Sequence, residues 1–310
     1  MLTVLQTALE VGLIYGLVAL ALFISFSILN IADLSTDGCF TLGCAVGAML
    51  TIAGHPILAL FAAMAAGMLS GYVTAFLQTR LGVESILAGI ISNTGLYTIN
   101  LAVMGFSSNV SITGVDTVFS LFKGLVGGQW SRLILLALIA AVIVLVLIRF
   151  FGTSLGLSIR ATGDSLDMVS ASSINPKATI TIGLCLANAL TALSGCLIGE
   201  YNKFCDINLG TGMVTIALAS LIIGEVFAGR RGSVGKRVVC VVLGSIVYRF
   251  IIALALRLNI SAEYFKLVSA VIVAVAIAAP NMKDYVHLAK IKSNARKLRA
   301  LSGKGGETDA

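Results

Sequence analysis

The stretch ILNIADLSTDGCFTLGCAVG, residues 28–47, places polar and acidic side chains between two apolar segments of the chain. The apolar segment that follows, residues 39–53, would reach about 22 Å as a helix, which is short of the roughly 30 Å hydrocarbon core of a bilayer. The chain must therefore enter the membrane before Cys39. We predict a discontinuous helix, in which a non-helical or half-helical entry at residues 30–38 leads into a helix that begins near Asp37.

The composition of the whole chain indicates an integral membrane protein. Its 310 residues have a mean hydropathy of +1.02 and only 11% are charged, which is far from the composition of soluble domains. A membrane β-barrel would require short alternating strands, and the chain instead has long apolar runs. We predict an all-α membrane domain over residues 1–282 with about 8–10 transmembrane helices, followed by a basic tail at 283–310. The apolar segments lie at 4–28, 39–53, 57–79, 84–104, 131–151, 179–199, 209–228, 238–257 and 264–281.

Basic residues gather at alternate joints between these segments. The joints at 80–83, 152–178 and 229–237, together with residues 282–310, hold most of the 21 Lys and Arg residues. By the positive-inside rule we place these joints and the C-terminus in the cytoplasm, and residues 105–130 and 200–208 outside. The net charge of +7 then follows from membrane orientation and requires no nucleic acid as a partner.

The side chains of the opening motif favour a binding role inside the helix bundle. Asp33, Ser35 and Thr36 are of the types that cap helix N-termini. A helix that starts near Asp37 would present free N–H groups, to which a carboxylate binds readily. An unpaired aspartate at membrane depth is costly, so Asp33 or Asp37 should face water or a cation such as an ammonium group. The alternative is a turn at the cytoplasmic end of the bundle with two solvated acids.

A second motif of the same kind follows the apolar segment 179–199. The stretch EYNKFCDINLGTGMVTIALAS, residues 200–220, again places polar residues and glycines before an apolar helix, at Asp206, Asn208, Gly210 and Gly212. The first motif follows a span directed inward, and the second follows a span directed outward. This pattern is typical of an inverted-topology repeat, in which discontinuous segments pair around a central site.

The longest cytoplasmic joint, GTSLGLSIRATGDSLDMVSASSINPKA at residues 152–178, has the residues of two short helices. Gly163 indicates the end of the first helix, and Asp164 or Ser165 an N-cap for the second. Long structured loops usually have a function, so we expect this segment to dock a cytosolic partner, although a simple connection between two spans would also account for it.

No motif for catalysis, a cofactor or a metal is found in the sequence. The nearest phosphate-loop lookalike, GRRGSVGKR, has Arg237 after Lys236 where Ser or Thr is required. His55 and His287 fall on opposite membrane sides in the topology above, and the six cysteines are dispersed. We therefore predict a chain that is not an enzyme and carries neither an ATPase motif nor a cofactor.

Four stretches together resemble the permease subunit of an ABC importer of the branched-chain amino acid and ribose transporter group, in the branch of tryptophan or tyrosine uptake permeases. They are ILNIADLSTDGCFTLGCAVGA, LAGIISNTGLYTINLAVMG, IRATGDSLDMVSASSIN and GTGMVTIALASLIIGEV. The resemblance implies a multi-pass protein of the bacterial plasma membrane. It also implies three kinds of partner, namely two cytosolic ATPases, an extracytoplasmic solute-binding protein and a second copy of the permease.

The resemblance also assigns residues to roles. The family's R-A-x-G-[DE]-N segment, which leads into the helices that contact the ATPases, is similar to the region of this chain that begins at Arg160, with Ser165 in place of the usual Asn. The coupling residues it implies are Arg160, Ala161, Thr162, Gly163, Asp164 and Asn175.

We hypothesise that the chain translocates a small solute, an aromatic amino acid by its resemblance, when the partner ATPases close on ATP and switch the permease pair between outward-facing and inward-facing states. The polar residues expected along the solute path are Asp33, Ser35, Thr36, Asp37, Asn93, Asn188 and Asp206. Hydrogen bonding between helices would explain Asn93 and Asn188 equally well. The alternatives are an ion-coupled secondary transporter, with a proton or sodium site at Asp33 or Asp37, and a membrane scaffold or receptor component that transports nothing.

Overall fold

The computed structural model describes residues 2–128, 130–229, 232–257, 271 and 274, and this part of the chain is almost entirely helical. A π-helical turn over Phe23–Ile28 continues the first helix, and two short strands complete the described elements. The helices are α1 Leu2–Leu22, α2 Thr36–Ile52, α3 Pro56–Thr79, α4 Ser85–Val103, α5 Val118–Val126, α6 Ser131–Phe151, α7 Ser154–Asp164, α8 Leu166–Ala171, α9 Pro176–Asn202, α10 Met213–Ala228 and α11 Val234–Arg257; the strands are β1 Asn109–Ser111 and β2 Phe204–Asp206.

Six helices in the described ranges are long and apolar enough to cross a membrane. They are α1 with its π-helical turn, α3, α4, α6, α9 and α11, and each coincides with a segment predicted from the sequence. The helices α2 and α10 are shorter, with 17 and 16 residues. The structure thus confirms the all-α membrane fold. The predicted segment 264–281 lies outside the described residues except for 271 and 274, and the tail 283–310 lies wholly outside them.

Glycines allow α2, α3 and α9 to pack at very short distance in the centre of the bundle. A Cβ atom added to Gly43 of α2 would lie 1.9 Å from the carbonyl oxygen of Ala192, and one added to Gly195 of α9 would lie 1.9 Å from that of Phe40. On α3, Gly67 and Gly71 face α9 in the same way. Small residues at these positions let the backbones approach, as is usual between membrane helices.

The helix packing agrees with the predicted inverted repeat. The helix α1 packs against α10 and α11, and α9, which has the corresponding place in the second half, packs against α2 and α3. Hydrogen bonds link Glu10 to Tyr201 and Ile14 to Ser194, so α1 and α9 run antiparallel. The first helix of each half therefore packs against the second and third helices of the other half.

The two segments assigned to the outside by charge lie together in the structure. Strands β1 and β2 pair antiparallel, with Asn109 opposite Asp206 and Ser111 opposite Phe204. Residues 105–130 and 200–208 are thus on the same side of the bundle. Residues 152–178, the segment predicted to couple to the ATPases and called the coupling segment below, lie at the opposite end of α9, since they lead directly into Pro176.

Candidate functional site

A buried polar cluster lies where the entry segment meets the middle of α9. Asp33 is 3% exposed, and its Oδ1 accepts hydrogen bonds from the backbone N–H and the hydroxyl of Ser35 at 2.9 and 2.6 Å. The Nδ2 of Asn188 donates to Oδ2 of Asp33 at 2.9 Å. The hydroxyl of Thr36 donates to the carbonyl oxygen of Asp33 at 3.1 Å. Since Asn188 is near the midpoint of α9, this cluster lies near mid-depth in the membrane domain.

The helix α2 starts where the sequence predicts, and a residue of N-cap type precedes it. The helix begins at Thr36, as the length argument required, and Ser35 occupies the N-cap position. The hydroxyl of Ser35 donates to Asp33 and accepts no helical N–H, so among the described residues no side chain caps α2. Both oxygens of Asp33 accept N–H or O–H groups of the protein.

Asp37 joins the two shorter helices of the bundle. Its Oδ2 accepts the backbone N–H of Gly212 and its Oδ1 that of Val214, both at 2.9 Å. These N–H groups lie at the N-terminus of α10, where a carboxylate is favoured by unpaired donors and by the helix dipole. The hydroxyl of Thr41, one turn further along α2, accepts the N–H of Gly210 at 3.1 Å. The N-termini of α2 and α10 therefore meet inside the bundle.

The remaining predicted path residues are not all brought to this cluster. Asn93 of α4 is half-buried beside the first turn of α2, with its Oδ1 2.6 Å from the position of a Cβ atom on Gly38. Asp206 lies instead in β2, where its Oδ1 accepts the N–H of Asn208 at 2.8 Å. Its neighbour Cys205 packs with Cys44, about two turns along α2 from Asp37. The structure therefore separates Asp206 from Asp33.

The coupling segment forms the two short helices that the sequence predicts. The helix α7 ends at Asp164, and the Oγ of Ser165 accepts the N–H of Met168 as the N-cap of α8. Arg160 and Asp164 are exposed, Ala161 is half-buried, and the buried Thr162 is hydrogen-bonded to Thr179 at 2.8 Å.

The coupling segment also presents apolar side chains and is fixed to the start of α9. Leu157, Leu166 and Met168 are exposed, Met168 to 72%. Asn175 is the N-cap of α9 and accepts the N–H of Lys177 at 3.0 Å.

The coupling segment contacts the entry to α2 through Gly163. A Cβ atom on Gly163 would lie only 1.8 Å from the carbonyl oxygen of Ile28, the last residue of the π-helical turn. Two residues later Asn30 has a left-handed backbone, with φ of +56°. A cavity of about 650 Å³ lies beside this contact, lined by residues 29–31 and 162–166, the C-terminal end of α3 and the starts of α4 and α9. Residues 152–178 therefore touch the chain just before the segment that carries Asp33.

Several polar contacts were not predicted from the sequence. Asn100 donates through its Nδ2 to the carbonyl oxygen of Gly38 at 3.0 Å. The guanidinium of Arg249 stacks over the ring of Tyr15 at 3.7 Å, which places it in a cation–π contact. Glu200 accepts hydrogen bonds from the hydroxyl of Thr51 and from the backbone N–H of Val118. These residues stand alone in apolar helices, and only their polarity in such a context could have drawn attention to them.

Comparison with known proteins gives one family and two relatives. The family model described as branched-chain amino acid transport system / permease component matches residues 4–277. The chain is 31% identical over 294 residues to the tyrosine transport system permease protein of Clostridioides difficile (strain R20291), covering 94% of this chain and 95% of that protein. It is also 31% identical over 284 residues to the uncharacterized protein RP368 of Rickettsia prowazekii (strain Madrid E), covering 91% of this chain and 99% of the relative. No solved structure matches significantly.

Proposed function

This chain belongs to the branched-chain amino acid transport permease family, and we propose that it is the membrane subunit of an ABC importer that moves tyrosine or a related aromatic amino acid into the cell. In this proposal an extracytoplasmic binding protein delivers the solute, and cytosolic ATPases dock on residues 152–178. Two copies of the chain form the permease pair in the bacterial plasma membrane, with the C-terminus inside. The solute class follows from the relative that is called a tyrosine permease.

One observation carries the transport mechanism, namely the meeting of two short helices inside the bundle. The N-terminus of α10 is capped by Asp37, whereas that of α2 has no side-chain cap among the described residues. An uncapped helix N-terminus beside polar groups favours the carboxylate of an amino acid. Asp33, Ser35, Thr36, Asp37, Asn93 and Asn188 are the residues that would border the solute when the bundle opens. Asp206 is left out, because it lies in β2, which pairs with β1 away from the cluster.

The geometry favours this function over an ion-coupled secondary transporter. A sodium or similar cation site needs several oxygen ligands directed at one point. The carboxylate of Asp33 instead faces donors, which are the N–H and hydroxyl of Ser35 and the amide of Asn188. Both oxygens of Asp37 accept backbone N–H groups.

Purification and reconstitution test the proposal. The tagged permease should bring down an ATPase from its native membrane, and proteoliposomes with that ATPase should accumulate labelled tyrosine only with ATP and the co-purified binding protein. Arg160→Ala and Asp164→Ala should reduce the amount of bound ATPase, because both side chains are exposed on the coupling segment. Exposed Thr113→Ala, on the other side of the bundle, is the matched control. Uptake that runs on an ion gradient without any ATPase would overturn the proposal.

A further inference from the structure

Glu200 is a buried acid near the outer end of α9 that none of the roles above uses. It is 1% exposed. Its Oε1 accepts the hydroxyl of Thr51 at 3.0 Å, and its Oε2 accepts the backbone N–H of Val118 at 2.8 Å. Thr51 is the last residue but one of α2, and Val118 is the first residue of α5. One carboxylate therefore joins three elements that are distant in sequence.

The helix α5 is held at its N-terminus and exposed beyond it. Thr117 caps it and is 1% exposed, and Phe119 packs edge-on against Tyr201 with ring centroids 5.9 Å apart. One turn further along, Leu121 and Lys123 are exposed. An amphipathic helix with this arrangement presents an apolar and basic face outward while its first turn stays inside the bundle. A protein that docks on the outer surface would contact the exposed face of α5 and could displace the helix.

The helix α2 connects Glu200 to the polar cluster. It is one uninterrupted helix from Thr36 to Ile52, so a movement at Thr51 is passed to its first turn. That first turn carries Asp37, which caps α10, and follows directly on Asp33. The contacts therefore run without a gap from the outer surface to the site where the two short helices meet.

The two hydrogen bonds of Glu200 are linked energetically. A buried carboxylate that loses one of its donors keeps an oxygen without a partner, which is costly in an apolar environment. The N-terminus of α5 also favours the negative charge through its dipole. A displacement of α5 therefore changes the strength of the hydrogen bond between Glu200 and Thr51.

We propose that Glu200 is the positioning residue through which docking of the binding protein on α5 sets the position of α2. The inference rests on the proposed function, since it needs a partner that docks outside. It goes beyond that function by naming the route from the outer surface to the solute path.

The hydroxyl of Thr51 offers a test that changes a single hydrogen bond. Thr51→Val removes the donor to Glu200 and keeps the side-chain shape, while Thr51→Ser restores the donor. Thr74→Val is the matched control, because Thr74 is also buried and hydrogen-bonded but lies on α3. Each variant is reconstituted with the ATPase, and ATP hydrolysis is measured with and without the co-purified binding protein loaded with tyrosine.

We expect stimulation by the binding protein to fall about five-fold in Thr51→Val and in Glu200→Gln, with basal hydrolysis unchanged. Thr51→Ser and Thr74→Val should keep the stimulation of the unmodified protein. Full stimulation in a folded Thr51→Val variant would overturn the inference and leave the proposed function standing. An unmodified permease that the loaded binding protein does not stimulate would overturn both.

Discussion

Asp33 and Asp37 belong to the same motif, yet each is satisfied by a different part of the chain. Asp33 is bonded to Asn188, 155 residues further along, and Asp37 to Gly212, 175 residues further along. Their polarity at membrane depth was evident from the sequence. Their hydrogen-bond partners could not be predicted, because partners so far apart in sequence are brought together by the packing of α9 and α10, which no local sequence pattern encodes.

At the same scale, Asn188 should be essential for the stability of the buried cluster. Asn188→Ala leaves Oδ2 of Asp33 buried without its donor, and we expect the free energy of unfolding to fall by about 1–3 kcal/mol. Thermal unfolding in detergent measures the change. Asn93→Ala is the control, since Asn93 is only half-buried and lies beside the cluster. Equal destabilisation by the two variants would contradict the importance given to the Asp33–Asn188 bond.

Among the elements, the short helices were the most predictable from the sequence. Residues 39–53 are too few to cross the membrane alone, and α2 indeed begins before them, at Thr36. Ser35 occupies the N-cap position, but its hydroxyl donates to Asp33 two residues earlier in the chain, and this bond could not be predicted from the sequence. The π-helical turn at Phe23–Ile28 was not predicted either, since hydrophobic periodicity over so short a stretch does not distinguish it from an α-helix.

The contact between Gly163 and Ile28 predicts how the coupling segment acts on the entry to α2. Gly163→Ala would push a methyl group against the Ile28 carbonyl, displacing the coupling segment from the π-helical turn. We expect ATP-driven uptake to fall about ten-fold while the ATPase still co-purifies, because the exposed docking residues are unchanged. Radiolabelled uptake in proteoliposomes, compared with ATPase recovery, checks this.

Gly152→Ala is the matched control for that variant. It lies at the start of the same segment, and its added Cβ atom would come no nearer than 3.4 Å to the atoms around it. We expect it to retain uptake. If Gly163→Ala transports as well as Gly152→Ala, the coupling segment does not act through Ile28.

For the whole molecule, the helix packing is consistent with the inverted repeat that the two polar motifs predict. Each half has a long first helix and a short second helix. The first helix of one half, α1, packs against α10 and α11 of the other, and α9 packs against α2 and α3. The sequence showed the two polar motifs. It could not show that Asp37 of the first motif caps α10, the helix that follows the second motif. That contact depends on the three-dimensional meeting of the halves.

The spanning of α9 and the distribution of basic residues together predict which surfaces face each side of the membrane. Thr113 lies just after β1, in the region predicted to be outside, and Ser170 lies on α8 of the predicted coupling segment; both are exposed. The six native cysteines are buried except for the half-buried Cys185, so the Cys185→Ser variant should show little maleimide labelling of its own. In that background we expect a membrane-impermeant maleimide to label Thr113→Cys in right-side-out vesicles and Ser170→Cys in inside-out vesicles. Residues 152–178 and the paired strands β1 and β2 lie at opposite ends of α9. Labelling of both positions from one side would therefore contradict the spanning of α9, and reversed labelling would contradict the positive-inside orientation.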